Sequence, residues 1–162
     1  MYDPFSLFNY FLKKSLNLNI RLTPVQIELL IYFGHGWYLA LNGKPLFTNP
    51  IKAWRDGPVI EDIHKFYNKP KLDFQATLDL EKIKELKEVD LPFLDGIWEY
   101  YHHLGEIEMI QLCHEPESPW FHTYEKSSRD VVIDNNLIER HYRLIHINHP
   151  EFDDHDDPIS IY

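Results

Sequence analysis

Apolar residues recur every three or four positions along much of the chain, which is the spacing of one face of an α-helix. The first series predicts a helix that ends near Asn17, and its members are Phe5, Leu7, Phe8, Tyr10, Phe11, Leu12 and Leu16. A second helix is predicted from Pro24 to about Leu41. Its start is well specified, because Thr23 can cap the helix, Pro24 suits the first helical position and Gln26 can complete a capping box.

Two glycines, Gly34 and Gly36, interrupt the second predicted helix. Each weakens a helix by about 1 kcal/mol relative to alanine. Their presence therefore indicates that the backbone of a neighbouring element approaches closely there.

Shorter patterns follow along the rest of the chain. Further helices are predicted from Pro58 to Tyr67, Leu80 to Lys87, Pro92 to Leu104, Glu106 to Cys113, Pro119 to Tyr124 and after Asp134. Prolines exclude a helix between residues 44 and 54, where Leu46-Phe47 and Ile51 to Trp54 flank a Thr48-Asn49-Pro50 turn as hairpin strands do. We predict a mainly α fold: a single compact domain over residues 1–147 with six or seven helices and one small β-hairpin, followed by an acidic tail over residues 148–162.

Composition narrows the possible partners and the compartment. The formal net charge of −10 disfavours direct binding to nucleic acid and would attract a basic protein. The single cysteine, Cys113, excludes an internal disulfide and fits a reducing compartment. The first residues lack the features of a secretion signal, and no apolar run approaches the roughly 20 residues that span a bilayer. We expect a cytoplasmic protein with no membrane segment.

Enzymatic and metal chemistry find little support in the sequence. The spacings of His141, His146, His149 and His155 do not place four ligands on one helical face, so we expect no metal and no cofactor. Cys113 falls on an apolar helix face beside Leu112, which is typical of a small core residue. A hydrolase that uses Cys113 or a histidine is the weakest alternative, and we expect no enzyme.

A set of aromatic, glycine and proline residues near predicted element boundaries is the best candidate for a partner-binding surface. Large aromatic, histidine and arginine side chains serve as interface anchors, although any one of them can equally well fill the core or start a helix. The candidates are His35, Trp37, Trp54, Arg55, Gly57, Pro58, His114 and Trp120.

The order of these motifs resembles a known family. The run from Leu22-Thr23-Pro24 through Trp37-Tyr38-Leu39-Ala40-Leu41, Gly43-Lys44-Pro45-Leu46-Phe47, Pro50-Ile51-Lys52-Ala53-Trp54 and Gly57-Pro58-Val59 resembles the Panacea-domain proteins, also described as SocA-like or phage-associated GepA-like. The later Leu94-Asp95-Gly96-Ile97-Trp98 with Tyr101, and Leu112 to His114 with Pro119-Trp120, are similar to the family's second signature. Two departures are Glu28, where the family commonly has a basic residue, and Arg55-Asp56 in place of a more usual aromatic.

The resemblance implies a mostly helical cytosolic domain from a bacterium, plasmid or prophage that acts as the antitoxin of a toxin–antitoxin system. Such an antitoxin binds and neutralises a cognate protein toxin encoded by the adjacent gene, and occlusion of the toxin's working surface is the mechanism we expect. The alternative is an adaptor that delivers a partner protein to a protease or a regulatory complex through the tail. The identity of the toxin and the oligomeric state stay open.

Overall fold

The computed structural model describes residues 1–126 and 130–148 of the chain. The predicted acidic tail lies outside the described residues from His149 onward, and so does His155. In chain order the elements are α1 (Pro4–Asn17), α2 (Pro24–Asn42), β1 (Ile51–Trp54), β2 (Gly57–Ile60), α3 (Glu61–Tyr67), α4 (Leu80–Ile83), α5 (Leu91–Tyr101), α6 (Glu106–His114), α7 (Pro119–Lys126), β3 (Val131–Val132) and α8 (Asn135–Asn148), with short 3-10 helices at Phe74–Thr77 and Glu88–Asp90.

Helix α2 lies at the centre of the fold and packs against α1, α3, α5, α6, α8 and β2. Its start follows the prediction: the Thr23 hydroxyl accepts from the Gln26 amide at 3.1 Å, and the Gln26 side chain accepts from the Thr23 amide at 2.8 Å. The helix ends at Gly43, which has a left-handed φ of 61°. Because neighbours surround α2, it is apolar on most sides rather than along one stripe.

The most extensive helix contact is between α2 and α8. Gly36 makes it possible, because a Cβ atom at this position would lie 2.2 Å from Cε2 of Tyr142. At Gly34 an added Cβ would instead meet Leu46 and Ile97 at ordinary distances of 3.7 and 3.8 Å. The predicted close approach therefore occurs at Gly36 and comes from the aromatic ring of Tyr142 rather than from backbone.

The predicted hairpin is present, but one of its two strands is a different segment of the chain. Strand β1 pairs with β2 across the Arg55-Asp56 turn, with Ile51 opposite Ile60, so the prediction that Leu46-Phe47 forms the partner strand was wrong. Leu46 and Phe47 are instead buried in the core without strand structure. A third strand that the sequence did not reveal, β3, pairs antiparallel with the other side of β1.

Two helix predictions also need correction. The helix expected to begin at Pro58 begins at Glu61, because Pro58 belongs to β2. A proline fits there because β2 is an edge strand of the sheet. The backbone of an edge strand needs N–H donors only on the side that pairs with its neighbour. The helix expected from Leu80 to Lys87 is a single turn, since its sequence is largely charged and offers little apolar surface to hold a longer helix in place.

The predicted fold class is confirmed in its outline. The described residues contain eight α-helices, which exceeds the six or seven predicted for the fold but equals the number of separate helical patterns in the sequence, and the small β element has three antiparallel strands. The core is built largely from aromatic and branched side chains, with Trp37, Trp98, Phe8, Phe11 and Phe47 among the largest that are fully buried.

Candidate partner-binding site

An aromatic stack joins α6 and α7 to the hairpin. The rings of His114 and Trp120 lie 3.9 Å apart and nearly parallel, and Trp120 stacks in turn on Tyr124 at 4.8 Å. The indole N–H of Trp120 donates to the backbone oxygen of Trp54 at 2.7 Å. These contacts fix the end of β1 against α7 and leave His114 partly exposed.

The hairpin turn carries the most exposed candidates. Arg55 and Asp56 form the turn itself and are both exposed, while Trp54 is partly exposed. The indole N–H of Trp54 donates to Asp130 at 3.0 Å, and hydrogen bonding to Lys52 lowers the pKa of Asp130 below its usual value. Gly57 closes the turn with a φ of 144°, a conformation that other residues rarely adopt.

A groove of about 350 Å³ runs beside the turn, between α2, β2, α3 and α6. Its walls are partly apolar, with Val25 and Leu29 from α2, Val59 from β2 and Ile110 from α6. Its polar lining includes Glu28, Asp56, His64, Tyr67, Glu106 and His114. Gly57 and Pro58 also line it, so the groove is continuous with the residues that the sequence singled out.

The side chain of Glu28 is the centre of a buried polar cluster in this groove. Glu28 is only 3% exposed, and its carboxyl group accepts from the Ile60 amide at 2.8 Å and from the Tyr67 hydroxyl at 2.5 Å. Nδ1 of His64 lies 2.6 Å from the Tyr67 oxygen and 3.3 Å from Glu28. Burial raises the pKa of Tyr67, and the nearby charge of Glu28 raises it further, so Tyr67 stays a hydrogen-bond donor.

His35 and Trp37, the two candidates on α2, lie in the core. Each is 1% exposed. Nε2 of His35 lies 2.9 Å from Oδ1 of Asn135 at the start of α8, and the indole N–H of Trp37 donates to the Tyr101 hydroxyl at 2.8 Å. Burial lowers the pKa of His35 to about 4, so its ring is neutral near pH 7. Neither side chain offers surface to a partner.

The other six candidates converge. Trp54, Arg55, Gly57, Pro58, His114 and Trp120 lie in or beside the hairpin turn, the aromatic stack and the groove, although Gly57, Pro58 and Trp120 are themselves buried. His64 and Tyr67 were not among the residues predicted from the sequence. Their spacing of three residues on one short helix was the available signal, but their partner Glu28 is 36 residues away from His64 and its contact with them depends on the fold.

Neither nucleophilic nor metal chemistry gains support within the described residues. Cys113 is 3% exposed, and burial raises the pKa of its thiol, which disfavours the reactive thiolate. Within residues 1–126 and 130–148, no three His, Cys, Asp or Glu side chains are arranged to hold a metal ion.

Comparison with known proteins identifies the family. The family model described as "Antitoxin SocA-like, Panacea domain" matches residues 29–121, which is more than half of the chain and includes α2 from its second turn, the hairpin and the start of α7. The chain belongs to this antitoxin family. The match spans Trp54 to Pro58, His114 and Trp120, the residues that meet around the groove in this family member.

A curated relative agrees with this assignment. The chain is 25% identical over 128 residues to the protein named Antitoxin SocA from Caulobacter vibrioides (strain NA1000 / CB15N), an alignment that covers 73% of this chain and 68% of the relative. No solved structure matches the chain significantly. No helix in the described part of the chain combines the length and the apolar character needed to cross a bilayer.

Proposed function

We propose that this chain is the antitoxin of a toxin–antitoxin system, and that it binds and neutralises a cognate protein toxin encoded by the adjacent gene. It acts in the cytoplasm as part of a toxin–antitoxin system of the kind found on plasmids or prophages. It neutralises the toxin by covering the toxin's working surface, without a chemical reaction. Family membership supports the antitoxin role, and the Antitoxin SocA relative carries the same role in its name.

We infer the location of the binding site from one observation: the family-signature residues converge on one partly exposed region. We define the hairpin face as Trp54, Arg55, Asp56 and His114 together with the groove beside them. It combines aromatic and arginine side chains with a concave surface, as the energetic centres of protein interfaces do. The aromatic stack behind it holds these residues in place before the partner arrives, which reduces the entropy cost of binding.

The net charge supports the same partner class. At −10, the chain would speed its encounter with a basic toxin by electrostatic attraction. A stable complex of this kind buries on the order of 1,600 Å² in total. The hairpin face would supply the centre of such an interface, and surrounding surface would supply its rim.

Co-expression with the product of the adjacent gene tests this proposal. We expect the wild-type chain to restore growth to cells that the adjacent product arrests, and to copurify with that product. Absence of both protection and a complex would refute the antitoxin role.

A matched pair of substitutions tests the location of the site. Arg55 is exposed at the turn, so Arg55→Ala should leave the fold intact and weaken the complex by about 1–2 kcal/mol, the effect of removing an interface anchor. Arg143→Ala is the control, because Arg143 lies on α8 outside the hairpin face and pairs with Glu139 there. Equal affinities of the two variants for the toxin would place the interface elsewhere.

A further inference from the structure

The groove of the hairpin face combines apolar walls with a buried carboxyl group. Val25, Leu29 and Ile110 provide apolar wall, and the Glu28 side chain, 3% exposed, lies among them. A long aliphatic side chain that ends in a polar group would match this arrangement, because its methylene groups would contact the walls while its end reaches the carboxyl group.

The charges in the groove are unbalanced. Three carboxyl side chains line it, those of Glu28, Asp56 and Glu106, and its lining contains no lysine or arginine. In the part of the chain that the structure describes, none of the three forms an ion pair with a lysine or arginine, and Glu28 has Nδ1 of His64 at 3.3 Å. An anionic ligand would be repelled there. A purely apolar ligand would remove water from the carboxyl groups without replacing the hydrogen bonds that the water makes.

Hydrogen-bonding capacity also remains in the groove. Oε1 of Glu28 accepts from the Ile60 amide, whereas a carboxylate oxygen can accept from two donors. Nε2 of His114 is buried and has no hydrogen-bond partner among the described residues. Both groups belong to the lining, and buried polar atoms are satisfied in most complexes.

We propose that the groove binds a lysine or arginine side chain of the toxin, with Glu28 as its counter-charge. This inference rests on the proposed function, since the toxin supplies the side chain. The apolar walls remove water from the charged pair and strengthen it, and Asp56 at the exposed turn attracts the cation before it enters. A basic residue at position 28 would repel the same side chain, so this position would help to select the partner.

Glu28→Gln tests the pocket with little change in shape. The amide keeps an oxygen that can accept from Ile60 and removes the negative charge. With the purified product of the adjacent gene as the probe, we expect calorimetry to show binding at least about 30-fold weaker than for the wild type, the effect of removing one member of a buried charge pair. Glu81→Gln is the matched control, because Glu81 is 79% exposed on α4 and should bind like the wild type.

The outcomes separate the two proposals. If the wild-type chain forms no complex, the proposed function fails and this inference fails with it. If the wild-type complex forms and Glu28→Gln binds within twofold of it, the hairpin face remains a candidate interface but the charge-pair pocket is refuted.

A second variant covers the case in which Glu28→Gln does not fold, as judged by circular dichroism. Asp56 is exposed, so Asp56→Asn should fold normally and weaken the complex by about 2- to 5-fold, with a smaller dependence on salt concentration. Unchanged affinity in this variant, together with no loss of affinity in any lysine- or arginine-to-glutamine variant of the toxin, would overturn the inference.

Discussion

Alanine substitutions at Gly34 and Gly36, two positions on the same helix, should change stability in opposite directions. Replacing a helical glycine by alanine stabilises a helix by about 1 kcal/mol when the new methyl group has room. It has room at Gly34, where the nearest atoms would lie 3.7 Å away or further. At Gly36 the methyl group would lie 2.2 to 2.6 Å from three ring carbons of Tyr142.

The ring of Tyr142 cannot move aside cheaply. It is 4% exposed and packs against Trp37 and Tyr32, with ring centroids 5.3 and 6.4 Å away. Overpacking of this kind costs about 1–3 kcal/mol and, at such short distances, should come to the upper end. Subtracting the gain in helix propensity, we expect Gly36→Ala to lower the free energy of unfolding by about 1–2 kcal/mol. Gly34→Ala should raise it by up to about 1 kcal/mol.

Urea unfolding followed by tryptophan fluorescence measures both values. For a chain of this size the predicted difference corresponds to melting temperatures roughly 2–12 °C apart. Repeating Gly36→Ala in a Tyr142→Leu background should remove the penalty, because the clashing ring is then absent. A penalty of the same size in both backgrounds, or a loss of stability of equal size for both glycine variants, would refute the packing argument.

Three further predictions follow from contacts of α2 and from the chain end. Burial lowers the pKa of His35 from 6.5 to about 4, so as the pH falls the unfolded chain binds a proton at a higher pH than the folded chain does. The contribution of the neutral ring to the free energy of unfolding is therefore fully present above pH 6.5. The free energy of unfolding should fall by about 2–3 kcal/mol between pH 7 and 4.5. Urea unfolding at the two pH values measures this, and a His35→Gln variant should lack that component. Thr23→Ala should cost about 1 kcal/mol in thermal unfolding, since it removes the capping box of α2. A chain truncated after Asn148 should still protect cells from the toxin if neutralisation is by occlusion, whereas loss of protection with binding intact would favour the adaptor alternative.

Local signals made the helices predictable. The prediction of the α2 capping box was confirmed, because Thr23, Pro24 and Gln26 are neighbours in sequence and need no tertiary contact. The same proline rule failed at Pro58, where two consecutive branched residues, Val59 and Ile60, extend an edge strand before the helix begins. Local sequence could not distinguish these cases, because the outcome depends on pairing with β1.

The groove was only partly predictable for the same reason. The motif order indicated Trp54, Gly57, Pro58, His114 and Trp120, and these meet in the fold. The polar cluster joins Glu28 to residues on β2 and α3, at separations of 32 to 39 positions. Contacts at that distance along the chain are set by packing, and one sequence carries no local sign of them.

The contact between His35 and Asn135 joins residues 100 positions apart, at the junction of α2 and α8. A ribosome must therefore make most of the chain before α8 can cover the apolar surface of α2. Until then this surface is open to chaperones and proteases, so an interrupted product that lacks α8 should be degraded rather than accumulate.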